Sequence, residues 1–259
     1  MKILSFGGGV QTVTLAAMAS LDEIERPDFA VFADTQWESR ATYAYLHWFT
    51  RWAKERGLDI IHVTGGNIRD DALNVGKGFA SMPLWTKGKG GSMVPLRRQC
   101  TREYKITVVQ RAIRLKAGLN HGQRWKGDPC EVWLGISLEE VMRMKESLDK
   151  WVRIRWPLIE RRMTRGDCVE WLRRRAIQVP PKSACIGCPY HSDDFWRSLK
   201  RDNPAEWEDA CSFDEAIRHA RVSIRTPAFL HRSGLPLREV PLDQTGSLFG
   251  EECAGFCGT

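Results

Sequence analysis

The chain has 259 residues, 42% of them hydrophobic and 27% charged, which suits a folded core and excludes wholesale disorder. No apolar run is long enough to span a bilayer, and the net charge of +7, with a pI near 9.1, points to an anionic partner such as nucleotide or nucleic acid. The first apolar residues run straight into glycines, too short for a signal-peptide core; a cytosolic chain follows, whose eight cysteines stay reduced and turn to metal ligation or redox chemistry where they cluster.

Residues 2–6 read as a buried first strand, Gly7-Gly8-Gly9 as the turn after it, and residues 10–19 carry helical spacing. Residues 29–33 form an apolar run ending at Asp34-Thr35, as a buried parallel strand does. A helix over 38–56, closed by Gly57, and a strand over 60–63 come next. Residues 64–95 are rich in glycine, and a loop of that length is uncommon in a compact domain unless it is functional or mobile; its second half reads as a lid over the site. A helix over 104–116, a strand over 131–136 and a last core strand over 152–155, stopped by Trp156-Pro157, follow. Thr164 starts a helix with Asp167 in the capping-box position.

After Pro180-Pro181 come Cys185-Ile186-Gly187-Cys188, helices near 193–201 and 204–221, and a tail punctuated by proline and glycine. The expected fold is therefore α/β: a doubly wound, mainly parallel five-stranded sheet over residues 1–180, with a helical, cysteine-bearing segment over 181–259. The eleven tryptophans are read as core packing, with base stacking the alternative.

Ser5-Phe6-Gly7-Gly8-Gly9-Val10-Gln11-Thr12 lies between the first strand and the first helix. Glycines let a phosphate approach the backbone, the helix start offers N–H groups with positive partial charge, and Thr12 adds a hydroxyl. The spacing matches neither a Walker loop nor a dinucleotide fingerprint, and a tight glycine turn without a ligand is the alternative. The stretch resembles the pyrophosphate loop, S-G-G-x-D-S, of the adenine nucleotide alpha-hydrolase (HUP-like) superfamily. Gly8-Gly9-Val10-Gln11-Thr12 align with its last five positions; Gly7, Gln11 and Thr12 replace its first serine, its aspartate and its last serine.

Asp34-Thr35-Gln36-Trp37-Glu38 resembles the D-T-x-x-E segment of PAPS reductase-like members, at a strand's carboxyl end where such sheets bind ligands. Asp34 is then a candidate to hold a nucleotide hydroxyl or Mg²⁺, with helix capping the alternative. Leu134-Gly135-Ile136-Ser137, followed by Glu139, Glu140 and Arg143, resembles a further family segment lying near the base; Arg143 is read as reaching a phosphate or as part of a solvated face. The resemblance covers most of residues 2–200. It implies a nucleotide site of Ser5, Gly7, Gly8, Gly9, Gln11, Thr12, Asp34, Thr35, Gly135 and Arg143, with Gly8, Gly9, Thr12 and Asp34 acting in catalysis.

Two thiolates at the spacing of Cys185 and Cys188 can chelate one zinc or iron, Gly187 easing the turn. The stretch Arg98-Gln99-Cys100 to Lys105 resembles the R-x-C-x-x-x-x-K element of PAPS reductase-like thiolation proteins, whose cysteine joins the CxxC pair at a [4Fe–4S] cluster. By that resemblance Cys100, Cys185 and Cys188 are ligands, leaving one iron open unless Cys257 or Cys253 supplies a fourth. The tail cysteines also resemble, loosely, the cysteine-bearing C-terminus of sulfonucleotide reductases, and a persulfide carrier is another reading of them. A structural Zn²⁺ site is the bland alternative for the CxxC. Cys130, Cys168 and Cys211 read as buried thiols, His191 as structural, and the arginines around 161–175 as a phosphate-binding stripe or a solvated helix face.

The resemblance implies an ATP pyrophosphatase using ATP, Mg²⁺ and a [4Fe–4S] cluster, adenylating a DNA or tRNA acceptor for sulfur transfer, with a sulfur donor such as a cysteine desulfurase as partner. A sulfonucleotide reductase and a zinc-bearing nucleic-acid-binding protein are the alternatives.

Overall fold

The computed structural model describes residues 1–74, 76, 81–220 and 226–242. Its strands are β1 (Lys2–Ser5), β2 (Phe29–Asp34), β3 (Ile60–Thr64), β4 (Trp85–Lys87), β5 (Met93–Pro95), β6 (Cys130–Trp133) and β7 (Val152–Arg155). Its helices are α1 (Val10–Ser20), α2 (Arg40–Lys54), α3 (Ile68–Leu73), α4 (Thr107–Lys116), α5 (Pro157–Glu160), α6 (Arg165–Arg174), α7 (Asp193–Asp202) and α8 (Pro204–Ile217). Five strands make one parallel sheet ordered β3-β2-β1-β6-β7. The expected doubly wound α/β fold is thus the observed one.

Alternation along β1 shows how the layers are built, because successive side chains of a strand point to opposite faces. Leu4 packs with α1, α2 and α6 through Val13, Leu15, Phe49 and Leu172. Its neighbour Ile3 packs on the other face with Val109 and Ile113 of α4. A third cluster stands beyond the sheet's carboxyl end. It joins Trp37 and Ile68 to Trp196, Trp207, Phe213 and the last described residue, Leu242.

From β1 the chain winds outward through β2 to β3, then crosses to the opposite side for β6 and β7. The carboxyl ends of β1 and β6 therefore flank a topological switch point, the crevice where open parallel sheets bind ligands.

Several local expectations shift. The second helix starts at Arg40, because Ser39 caps it by accepting from Thr42 N at 3.1 Å. The helix expected over 104–116 is preceded by a π-helical turn, Thr101–Ile106, that runs into α4. The described second half of the glycine-rich stretch is an antiparallel hairpin, β4 with β5, not a lid loop. Bonds exchanged between Trp85 and Phe229, and from Trp85 Nε1 to the Pro189 carbonyl, pin it to the C-terminal segment. Thr164 does cap α6 in a capping box with Asp167. No helix among the described residues is long and apolar enough to cross a membrane.

Candidate functional site

The site begins at the end of β1. Gly8 has φ +72°, in the left-handed region that glycine enters without steric cost. A Cβ there would lie 3.1 Å from Leu46 Cδ2 and 3.5 Å from both Phe32 and Ser183 Oγ. Gly9 is the N-cap of α1, and a Cβ on it would meet nothing within 4 Å. The Thr12 hydroxyl donates back to the Gly9 carbonyl at 3.1 Å. Side chains cap α2, α3, α6 and α7 through Ser39, Asn67, Thr164 and Ser192; α1, like α4, has no side-chain cap and no acidic residue in its first turn. Its first N–H groups therefore face the crevice with the positive end of the helix dipole behind them. Ser5, as the last residue of β1, sets the loop's start.

The exit from β2 forms the second wall. Asp34 Oδ1 accepts from Gln36 N at 2.7 Å and from the Tyr43 hydroxyl at 2.8 Å. The carboxylate thus organises the turn into α2, while Ser39 does the capping. Gln36 has φ +61°, an unusual conformation for a non-glycine residue that often marks functional turns. Burial, reinforced by the bond to Asp34, raises the Tyr43 pKa above its ordinary value and keeps the donor protonated. Thr35 turns its hydroxyl to the cysteine turn, 3.1 Å from Cys185 Sγ, rather than toward the glycine loop.

The CxxC segment is held directly against this strand exit. Ile186 N donates to the Trp37 carbonyl at 2.8 Å, and Glu38 bridges to Cys185. Cys188 N donates to the Cys185 carbonyl at 3.1 Å, so both cysteines belong to one tight turn. His191 Nε2 donates to the same carbonyl at 2.8 Å and its ring stacks on Phe195, a structural role. Burial pushes the Cys185 thiol up to about 12; the buried Glu38 carboxylate and Cys100 add to the effect, and Lys105 and the Thr35 bond oppose it. Cys100 and Lys105 therefore lie within electrostatic reach of Cys185, bringing three sequence-distant elements together.

No group of three Cys, His, Asp or Glu side chains that could hold a metal ion is present among the described residues. The expected ligands stand instead as a two-thiol turn with Cys100 alongside. Cys253 and Cys257 lie outside the described residues. Cys130, Cys168 and Cys211 are buried, as expected.

The exit from β6 forms the third wall. A Cβ on Gly135 would lie 2.6 Å from Thr12 Cγ2 and 3.0 Å from Thr12 N, so only glycine lets this strand end meet the first turn of α1. Gln11 Nε2 reaches across to Ser137 Oγ at 3.4 Å and Glu140 Oε2 at 3.2 Å. Arg143 is ion-paired with Glu140.

Glu38 and Lys105 stand in the site as the closing residues of the D-T-x-x-E and R-x-C-x-x-x-x-K segments, whereas Ser183 and Gln36 join it without having been given a role by the sequence. Ser183 donates to Glu38 Oε2 at 3.3 Å and stands beside Gly8; its one signal was its place just before the CxxC. A cavity of about 370 Å³ at the end of β3 is lined by Gly65, Asp71, Ser81, Gln99, Glu103 and Tyr104. The expected basic stripe is partly neutralised, since Arg174 pairs with Glu170 and Arg175 with Glu23.

No protein-family model matches the chain, and no curated protein matches it in sequence. Among solved structures, it is similar to phosphoadenylyl-sulfate (PAPS) reductase from Candida auris in a phosphate complex, at 12% identity and TM-score 0.39, covering 71% of this chain and 80% of that one. It is also similar to the U34-tRNA thiolase NcsA from Methanococcus maripaludis with its [4Fe–4S] cluster, at 12% identity and TM-score 0.37, covering 84% of this chain and 72% of that one.

Proposed function

We propose that this chain is an ATP pyrophosphatase of the PAPS reductase-like class that adenylates an acceptor, with nucleic acid as the acceptor, and prepares it for sulfur transfer. The observation that carries this reading is the uncapped start of α1, with Gly8 at φ +72° and Gly9 open, placed at the switch point of the sheet.

In this reading the first N–H groups of α1 hold the β- and γ-phosphates, and Arg143 adds a guanidinium. An acceptor oxygen attacks the α-phosphorus, the bond to the bridging oxygen of the β-phosphate breaks, and pyrophosphate leaves with its new charge stabilised by the amides. Mg²⁺ neutralises the phosphates when bound, and Asp34 is its candidate ligand. A sulfur nucleophile from an external donor then bonds to the acceptor atom as the oxygen departs with AMP.

The turn of Cys185 and Cys188, with Cys100 near it, is the candidate place for sulfur handling. Cys100, Cys185 and Cys188 are the residues that would hold a [4Fe–4S] cluster or Zn²⁺ in this reading, with bare thiols the alternative. Iron, sulfide and zinc analysis of anaerobically purified protein decides among cluster, zinc and bare thiols.

The deciding experiment supplies α-labelled ATP, Mg²⁺ and a sulfide donor with DNA or tRNA. AMP and pyrophosphate formed in equal amounts, and increased by acceptor, support the assignment. ADP with inorganic phosphate, or binding without turnover, refutes it.

A further inference from the structure

The Gln11 amide belongs to a clasp across the crevice. Glu140 Oε2 accepts from Gln11 Nε2 at 3.2 Å, from Ser137 Oγ at 3.2 Å and from Ser137 N at 3.4 Å. Its other oxygen, Oε1, pairs with Arg143, and the Arg143 and Glu140 side chains are only 11% and 13% exposed. Close packing of Gly135 on Thr12 makes a second tie between the same two segments. The loop after β6 is thus fastened to the first turn of α1 at Gln11 and at Thr12.

We propose that Gln11 is a positioning residue: its neutral amide docks on Glu140 and, through that carboxylate, holds the Arg143 guanidinium beside the phosphate loop. This rests on the nucleotide reading of the crevice and adds that the clasp sets nucleotide affinity rather than the chemical step. The residue types follow from the contacts. A carboxylate at position 11 brings no donor and faces the Glu140 carboxylate in a half-buried site, where like charges disfavour each other. An apolar side chain at 11 deprives Glu140 of a donor.

The test measures the Kd for MgATP and the kcat for pyrophosphate release in the full chain, beginning with the wild type. Gln11→Glu raises the Kd about tenfold, as expected for a lost charge-assisted hydrogen bond, and changes kcat less than about twofold. The exchange Gln11→Glu with Glu140→Gln recovers part of the affinity, because an amide at position 140 can donate to a carboxylate at position 11 while its carbonyl accepts from Arg143, although the Ser137 N–H then loses its acceptor. Arg143→Ala weakens binding in the wild type and adds little in the Gln11→Glu background, the mark of residues acting through one another. Gln11→Met, which adds no charge, shifts the Kd in the same direction and serves if Gln11→Glu does not fold. An unchanged Kd in Gln11→Glu, no recovery in the exchange, or additive losses with Arg143→Ala overturns the clasp while leaving the nucleotide site standing. A wild type that binds no MgATP overturns the nucleotide reading and the clasp's role with it.

Discussion

Gly187→Ala probes the contact that seats the cysteine turn on the sheet. A Cβ at this position would lie 2.5 Å from Trp37 Cζ3 and 2.9 Å from Cζ2, and closer still to Cη2, against an ordinary carbon contact of about 3.5–4.0 Å. The indole has little room to yield. Trp37 is 4% exposed, its Nε1 donates to Asp209 at 2.6 Å, and its ring centroid is 4.7 Å from that of Phe213. Its carbonyl is also held by Ile186 N, so turn and ring are tied together. Overpacking of this kind costs about 1–3 kcal/mol, or roughly 3–10 °C in Tm for a chain of this size. Calorimetry measures the shift, and thiol labelling of the native protein follows Cys185 and Cys188 as the turn lifts away from Thr35. Gly90→Ala, where a Cβ meets nothing within 4 Å, is the control and leaves both readouts unchanged. A shift of Tm below about 1 °C in Gly187→Ala, with unchanged labelling, refutes the account of how the turn is held.

Gly8→Ala costs about 1–2 kcal/mol through its positive φ and lowers pyrophosphate release by crowding the loop; wild-type turnover in this variant removes the loop from the site. Cys185→Ser loses any bound iron or zinc and slows sulfur transfer while acceptor-dependent pyrophosphate release continues; full metal retention sinks the role of the CxxC turn. Alkaline pH destabilises the fold. Burial pushes the Cys168 and Cys211 thiols up to about 12 and Cys130 up to about 11, from a reference value of 9.0. Thiols raised in this way ionise more readily once unfolded, so their stabilisation is complete below pH 9 and is lost as pH rises toward 12. Urea midpoints at pH 8 and 10.5 measure this, and a flat profile contradicts it; Cys168→Ala removes part of the slope.

Much of the architecture could be read from local pattern. The apolar runs, the glycines after β1 and the Thr164–Asp167 box each depend on neighbours a few residues away, and each element formed near its expected limits. The glycine-rich stretch misled because glycine marks turns of many kinds. Its hairpin owes its place to Phe229 and Pro189, more than 90 residues away in sequence, as the bond between Trp85 and Pro189 shows by its separation of 104 positions. The π-helical turn before α4 was equally hidden, since its residues suit an α-helix and only their packing distinguishes the two.

By itself the sequence determined the order of the five sheet strands and of most helices around them, the glycine turn after β1, and the two-thiol turn, because these follow from backbone freedom and side-chain periodicity. Only the tertiary structure decided what meets across the crevice. It set Thr35 and Glu38 against Cys185, Ser183 beside Gly8, and Gln11 on Glu140. Such contacts join segments far apart in sequence, 150 positions for Thr35 and Cys185, and no local preference encodes a pairing that exists only once the sheet is assembled.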